Sequence, residues 1–147
     1  MVTIPFMCPE TPFIKQNPVY LYMYDSFKKP YPFQPNIAVA VDDAIDKKLA
    51  ALAEMTSQFL EFGPWFSDEL DVVPKDPQEA RKWIVDGFRI MYRDESAPLK
   101  PSLAPWYGPE AAANAQQVEA FEICEYGKQP SSEEIRKLFP FFPPVKP

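Results

Sequence analysis

The chain contains no histidine. That absence removes the Ser-His-Asp and Cys-His pairs, HExxH sites and every imidazole metal ligand, so most familiar catalytic constellations are closed to it. Glycine is scarce at 4 residues, while proline reaches 19 of 147, roughly two to three times ordinary usage. This balance disfavours long uninterrupted helices and central strands, and short elements joined by stiff loops are expected. Basic residues are outnumbered, 15 against 21 acidic ones for a net charge of -6. With no clustered basic face, binding to nucleic acid is not expected. The two cysteines, Cys8 and Cys124, lack any CxxC partner and read as buried free thiols of a reducing compartment rather than a disulfide. No apolar run approaches the length that crosses a bilayer. The start, Met1 to Met7, has no basic n-region and is broken by Pro5, so it is not read as a secretory signal. The expectation is a soluble, cytoplasmic protein with no membrane partner, a single unit over 1-147 whose 46% apolar residues fill one core.

What is present reads as alternating short strands and helices. Residues up to Pro18 form an extended loop, punctuated by prolines. Val19 to Tyr24 is β-branched and aromatic, apolar on both faces, and has the length of a buried strand. The run Lys28 to Pro35 cannot be regular, because its prolines remove donors and restrict the preceding residues. Ile37 to Val41 is a second strand, expected to pair with the first. Asp42 or Asp43 then offers an N-cap for a helix from Asp43 to Phe62, with Ile45, Leu49, Leu52, Thr56 and Phe59 on its apolar face and Gly63-Pro64 as its stop.

A second helix, Asp76 to Tyr92, has a capping-box start, with an aspartate cap, Pro77 at the first helical position and Glu79 at the third. Its apolar face is Ala80, Trp83, Ile84, Phe88 and Met91. In the proline-rich stretch that follows, Trp106 and Tyr107 read as loop anchors on the core rather than ligand contacts. Val118 to Tyr126 fits either a strand or the end of a helix begun at Pro109. Ser131 with Glu134 makes a capping box for a last short helix before Ile135, Leu138 and Phe139. No repeat or low-complexity linker marks a domain boundary.

Few residues offer chemistry. Asp25 ends a strand, the position where open α/β sheets place functional groups, although an aspartate there is more often a turn former. Lys28 and Lys29 suit an anionic substrate, yet two loop lysines are usually just solvated. Ser57 and Gln58 lie between the apolar and polar faces of the first helix, by default as surface residues. A carboxylate-pair glycosidase has acidic residues to draw on but no defensible spacing.

Taken in order, these segments resemble the PIG-L deacetylases: a strand ending in Asp25, the loop Asp25-Ser26-Phe27-Lys28-Lys29-Pro30-Tyr31-Pro32-Phe33, a short strand, Lys48-Leu49-Ala50-Ala51-Leu52 followed by Ser57-Gln58, and later Val118-Glu119-Ala120-Phe121. The likeness spans about Val19 to Tyr126, and its most specific part is the helix running from Lys48 to Ser57-Gln58. It implies a partial Rossmann-like α/β fold, with short strands covered by helices and long proline-rich loops. The activity implied is hydrolysis of N-acetyl groups on N-acetylglucosamine-type substrates, and the implied substrate contacts are Asp25, Lys29, Ser57 and Gln58.

Members of that family carry an amino-terminal His-Pro-Asp-Asp-Glu type motif, whose histidine and one aspartate bind zinc while the neighbouring aspartate serves as base. A further histidine ligand follows it. None of these is present here, and Met55 stands where the family usually has a histidine before Ser-Gln. The chain therefore resembles the carboxyl-terminal portion only, with no catalytic residue, no metal ligand and no cofactor of its own. Amide hydrolysis by this route needs a metal to acidify water and polarise the carbonyl, so inactivity alone is expected. The implied partners are a missing amino-terminal half or a second copy. The alternative is a non-catalytic binding or assembly module that keeps the scaffold.

Overall fold

The computed structural model describes residues 6, 9–14, 16–24 and 32–144. The chain is mixed α/β. Its strands are β1 (Leu21–Met23), β2 (Ile37–Ala40) and β3 (Val118–Ile123), in the spatial order β1-β3-β2. Both expected strands form, but they do not pair with each other. Each runs antiparallel to β3, with Leu21 opposite Ile123 and Ile37 opposite Phe121. A central strand must donate hydrogen bonds on both sides. The proline-rich run between β1 and β2 is a poor hairpin, whereas Val118 to Ile123 has no proline and takes the middle. This also decides the ambiguous segment: a short helix α5 (Pro109–Asn114) ends before Ala115, and β3 follows.

β2 is buried on both faces. Residues directly opposite across a ladder share a face, so Ala38 joins Ala120, and Ala40 joins Val118. These small side chains pack with Leu99, Leu103, Ala112 and Ala115. Their size lets the 3-10 segment Ala97–Leu103 lie close against the sheet. The opposite face is bulky: Ile37 and Val39 meet Trp106, Ile135 and Phe142. The rings of Trp106 and Phe142 stack at 5.1 Å, and Phe139 stacks on Phe142 at 5.3 Å. Trp106, in the one-turn helix α4 (Ala104–Tyr107), is buried, and its Nε1 donates to the Asn36 carbonyl at 3.3 Å. It anchors the loop, as expected. Gly108, at φ 85, turns the chain from α4 into α5 in a conformation that favours glycine.

The first helix is shorter than its pattern suggests. α1 spans Ile45–Leu52 with Ala44 as its N-cap, because Asp42 instead accepts a hydrogen bond from the Gln116 backbone N–H at 2.9 Å. Bonds from Glu54 N–H to Ala51 and from Met55 N–H to Leu52 tighten and close its last turn. The chain then winds as a π-helix over Ser57–Phe62. Gly63-Pro64 does not stop it; these residues open the one-turn helix α2 (Gly63–Phe66), where proline in the first turn sacrifices no intrahelical bond.

α3 (Pro77–Ser96) starts where expected, with the Asp76 carboxylate accepting from Gln78 and Glu79 N–H, and runs four residues past Tyr92 to Ser96. Ala80 and Ile84 face inward, but Trp83 and Met91 are exposed. α1 is too short to cover the full apolar stripe of a 20-residue helix. The last helix, α6 (Ser132–Leu138), carries the full Ser131/Glu134 capping box. Among the described residues no helix is long and apolar enough to cross a membrane.

Candidate functional site

Where α1, α3 and β3 converge they leave a cavity of about 120 Å³, walled by Ile45, Lys48, Tyr92, Ser96, Leu99 and Gln117 among others. Each element delivers polar groups to it. α1 turns Lys48 inward one turn after buried Ile45, so that its Nζ donates to Glu119 of β3 at 2.9 Å and lies 3.9 Å from the centre of the Tyr92 ring on α3. Ser96, at the end of α3, is 1% exposed. Its hydroxyl donates to the Tyr92 carbonyl at 2.6 Å and accepts from Val118 N–H at 2.8 Å. Helix end and strand start are thereby locked together.

Gln117 is different. Its backbone carbonyl accepts from Val41 N–H at 2.9 Å, extending the β2-β3 ladder, but its side chain is left over. The residue is 5% exposed, and its Oε1 meets no hydrogen-bond donor among the described residues.

Of the residues singled out from sequence, Ser57 and Gln58 lie elsewhere. Ser57 and Gln58 open the π-helix, exposed, and line a shallow groove of about 630 Å³ with Glu61, Phe62, Trp65 and Leu70. That groove shares no lining residue with the cavity. Asp25 and Lys29 lie outside the described residues, as does Cys8. Lys48 and Glu119 lie inside the segments that carry the PIG-L resemblance, yet nothing in their spacing predicts that they meet. Gln117 gave no signal, since a glutamine beside an apolar strand is normally its solvated margin.

Two further groups have shifted protonation. The Tyr22 phenol is pushed up from 10.0 to about 12, foremost by a side-chain hydrogen bond with Cys124, then by burial and by the charges of Cys124, Glu125 and Tyr126. Cys124 is a buried free thiol. Burial raises the Tyr107 phenol, against a smaller opposing effect of its hydrogen bond to the Ala40 backbone. Both tyrosines are neutral near pH 7 and suited to hydrogen bonding rather than to base catalysis.

Zinc, which the PIG-L likeness implies for a complete enzyme, is not matched by the described residues. Among the described residues no three His, Cys, Asp or Glu side chains converge, and carboxylates alone rarely select zinc. No family model matches the chain, and neither a curated protein nor a solved structure does.

Proposed function

We propose that this chain is the carboxyl-terminal part of a PIG-L-like, zinc-dependent N-deacetylase of the cytoplasm, acting on N-acetylglucosamine-type substrates, with the metal ligands supplied from outside it. The observation that carries this reading is the meeting of Lys48 with Glu119 at 2.9 Å. The two segments that bear the resemblance, Lys48 to Leu52 and Val118 to Phe121, are far apart in sequence, and they converge on one cavity. A second feature supports it. Among the described residues, β1 pairs on one edge only, with β3, which leaves room for a further strand beside it. In this reading the three strands are the margin of a larger Rossmann-like sheet, and Asp25, Lys29, Ser57 and Gln58 contact or support the substrate.

A non-catalytic binding or assembly module is the second reading. It is favoured by the row of exposed aromatics Phe62, Trp65 and Phe66, in which Phe62 stacks on Phe66 at 6.4 Å. Contiguous exposed apolar surface of this kind marks interaction sites.

Reconstitution separates the two. The chain alone is expected to hold no stoichiometric zinc and to release no acetate from N-acetylglucosamine derivatives. Mixed with a polypeptide carrying the His-Pro-Asp-Asp-Glu type motif, it is expected to gain both. Alanine at Ser57 or Gln58 should then lower activity more than alanine at Lys47. Zinc binding and deacetylation by the chain alone would overturn the proposal. A mixture that docks firmly but stays inactive moves the assignment to the assembly module.

A further inference from the structure

We propose that the outer face of α3 is where two copies of this chain pair, the helices crossing antiparallel so that Ile90 of each copy seats on Gly87 of the other and Asp86 of each meets Arg93 of the other. The chain has four glycines, and its own backbone accounts for three. Gly108 holds a φ of 85, a Cβ on Gly127 would strike the backbone of Pro18 and Tyr20, and one on Gly63 would press on the Gln58 carbonyl. Gly87 is the exception. It lies in the middle of the 20-residue α3, exposed, and among the described residues a Cβ there would meet nothing within 4 Å. Glycine is the poorest helix former after proline, so the helix bears a cost here that packing within the chain does not return. A bare backbone does suit a neighbour that must come close, as a second helix does at a tight crossing.

The ground around Gly87 is apolar. Trp83 and Ile90 lie one turn before and one turn after it on the same face, 38% and 52% exposed. The missing side chain leaves a shallow groove of about 390 Å³, walled by Trp83, Pro74 and Asp86 among others. Exposed apolar surface beside such a depression marks a contact.

The occupant is a second copy because the face is complementary to itself. In an isologous pair with its two-fold axis midway between Gly87 and Ile90, each Ile90 falls over the bare backbone of the other copy's Gly87. The same axis sets Trp83 opposite Asp94, whose carboxylate can accept the indole N–H. Asp86 and Arg93 flank the stripe on one side, and like flanks meet across an antiparallel pair. They come within two positions, ~3 Å along the axis, inside the reach of an arginine. Both side chains are half exposed, and their present partners are exposed neighbours on α3, Lys82 for Asp86 and Asp94 at 3.9 Å for Arg93. Such solvated pairs exchange at little cost. An unrelated helix would need a bulky aliphatic knob and a cation at this one spacing, and α3 carries both. The inference does not rest on the deacetylase reading, since it needs nothing outside this chain.

Sedimentation velocity of the full chain, from low micromolar to near millimolar concentration, reads the equilibrium. One helix pair is at the small end of specific interfaces, so a dimer dissociating in the micromolar range is expected. Gly87→Ala should act in opposite directions on two readouts. It should raise the melting temperature of the chain by a few degrees, because alanine is the better helix former and has room. It should weaken the dimer by about tenfold or more, because the methyl group fills the seat of Ile90. Asp86→Arg and Arg93→Asp should each weaken the dimer, and the two together should restore it. A chain that stays monomeric throughout overturns the proposal. So does a dimer that Gly87→Ala leaves intact, which places self-association on another face such as Phe62 to Phe66, or one that the paired charge reversal fails to restore. Zinc and acetate release are not read, so failure here leaves the deacetylase proposal standing.

Discussion

Lys48 and Glu119 join α1 to the central strand through a contact of 2.9 Å, and the same ammonium sits over the Tyr92 ring of α3. One side chain thus links its own helix to two other elements. Both partners are more than a third exposed, at 37% and 38%, so solvent screening keeps the pair modest. A double-mutant cycle with Lys48→Met and Glu119→Gln, read by urea unfolding, should give a coupling of about 0.2–1 kcal/mol. Lys48→Met should cost somewhat more than that coupling, because it also removes the cation–π contact. Equal losses in the two single variants would contradict a separate contribution from Tyr92.

Gly127 is needed for a close approach. A Cβ there would meet the Pro18 carbonyl oxygen and the Tyr20 backbone nitrogen, each at 2.8 Å, where the segment before β1 lies along the end of β3. Cys124 N–H donates to Tyr20 and Lys128 N–H to Pro18 at that seam. Backbone cannot yield as a flexible side chain can. Gly127→Ala should therefore destabilise by about 1–3 kcal/mol in equilibrium unfolding, with amide exchange rising at Cys124 and Lys128. A neutral variant would mean that the seam opens freely.

Tyr22 should titrate late. Its phenol, raised to about 12, foremost by the hydrogen bond with Cys124, holds its proton more tightly in the folded chain than in the unfolded one. The stability this contributes is complete below pH 10 and is lost as pH rises from 10 toward 12. Ultraviolet titration of tyrosinate should show one slow group absent from Tyr22→Phe. Cys124→Ala, which removes the largest cause, should return that group toward 10.

α6 should respond at the acid end. The Glu134 carboxyl is lowered first by its bond with Lys128 and then by the Ser131 backbone, and Glu133 is lowered by Lys137. Lowered carboxyls bind protons less readily when folded, so their contribution is complete above about pH 4.5 and fades as pH falls through the folded values. Ser131→Ala should cost about 1 kcal/mol at neutral pH. In Glu134→Gln the acid loss of stability should be smaller than in the parent chain. An unchanged acid limb would remove Glu134 from the account.

Local chemistry was the legible part of this protein. The Asp76 cap of α3 and the Ser131/Glu134 box of α6 depend on residues within a few positions of one another; the box of α6 forms in full, while at α3 the Asp76 side chain caps Gln78 and Glu79 N–H. Trp106 was legible as an anchor because a large ring in a proline-rich loop has little else to do. What escaped depends on long-range pairing. That β1 and β2 would both choose β3, that Asp42 would hold Gln116 rather than cap α1, and that Gln117 would turn inward are outcomes of tertiary geometry. Among the proposed substrate contacts, Ser57 and Gln58 kept their adjacency while the winding around them changed from α to π, a choice that apolar spacing does not resolve.

The central position of β3 has a consequence for the order of folding. Leu21 finds its partner only at Ile123, and Ile37 only at Phe121. While the chain is being synthesised from its amino end, the first two strands must wait, unpaired, until nearly the last of the sheet has emerged. Helices α1 and α3 can form earlier from local contacts, but the layer they cover assembles in one late step with a large loop-closure cost, which makes this topology slow. A nascent chain stalled before Val118 would hold helices and no sheet, and its apolar strand segments would be open to chaperones throughout that interval.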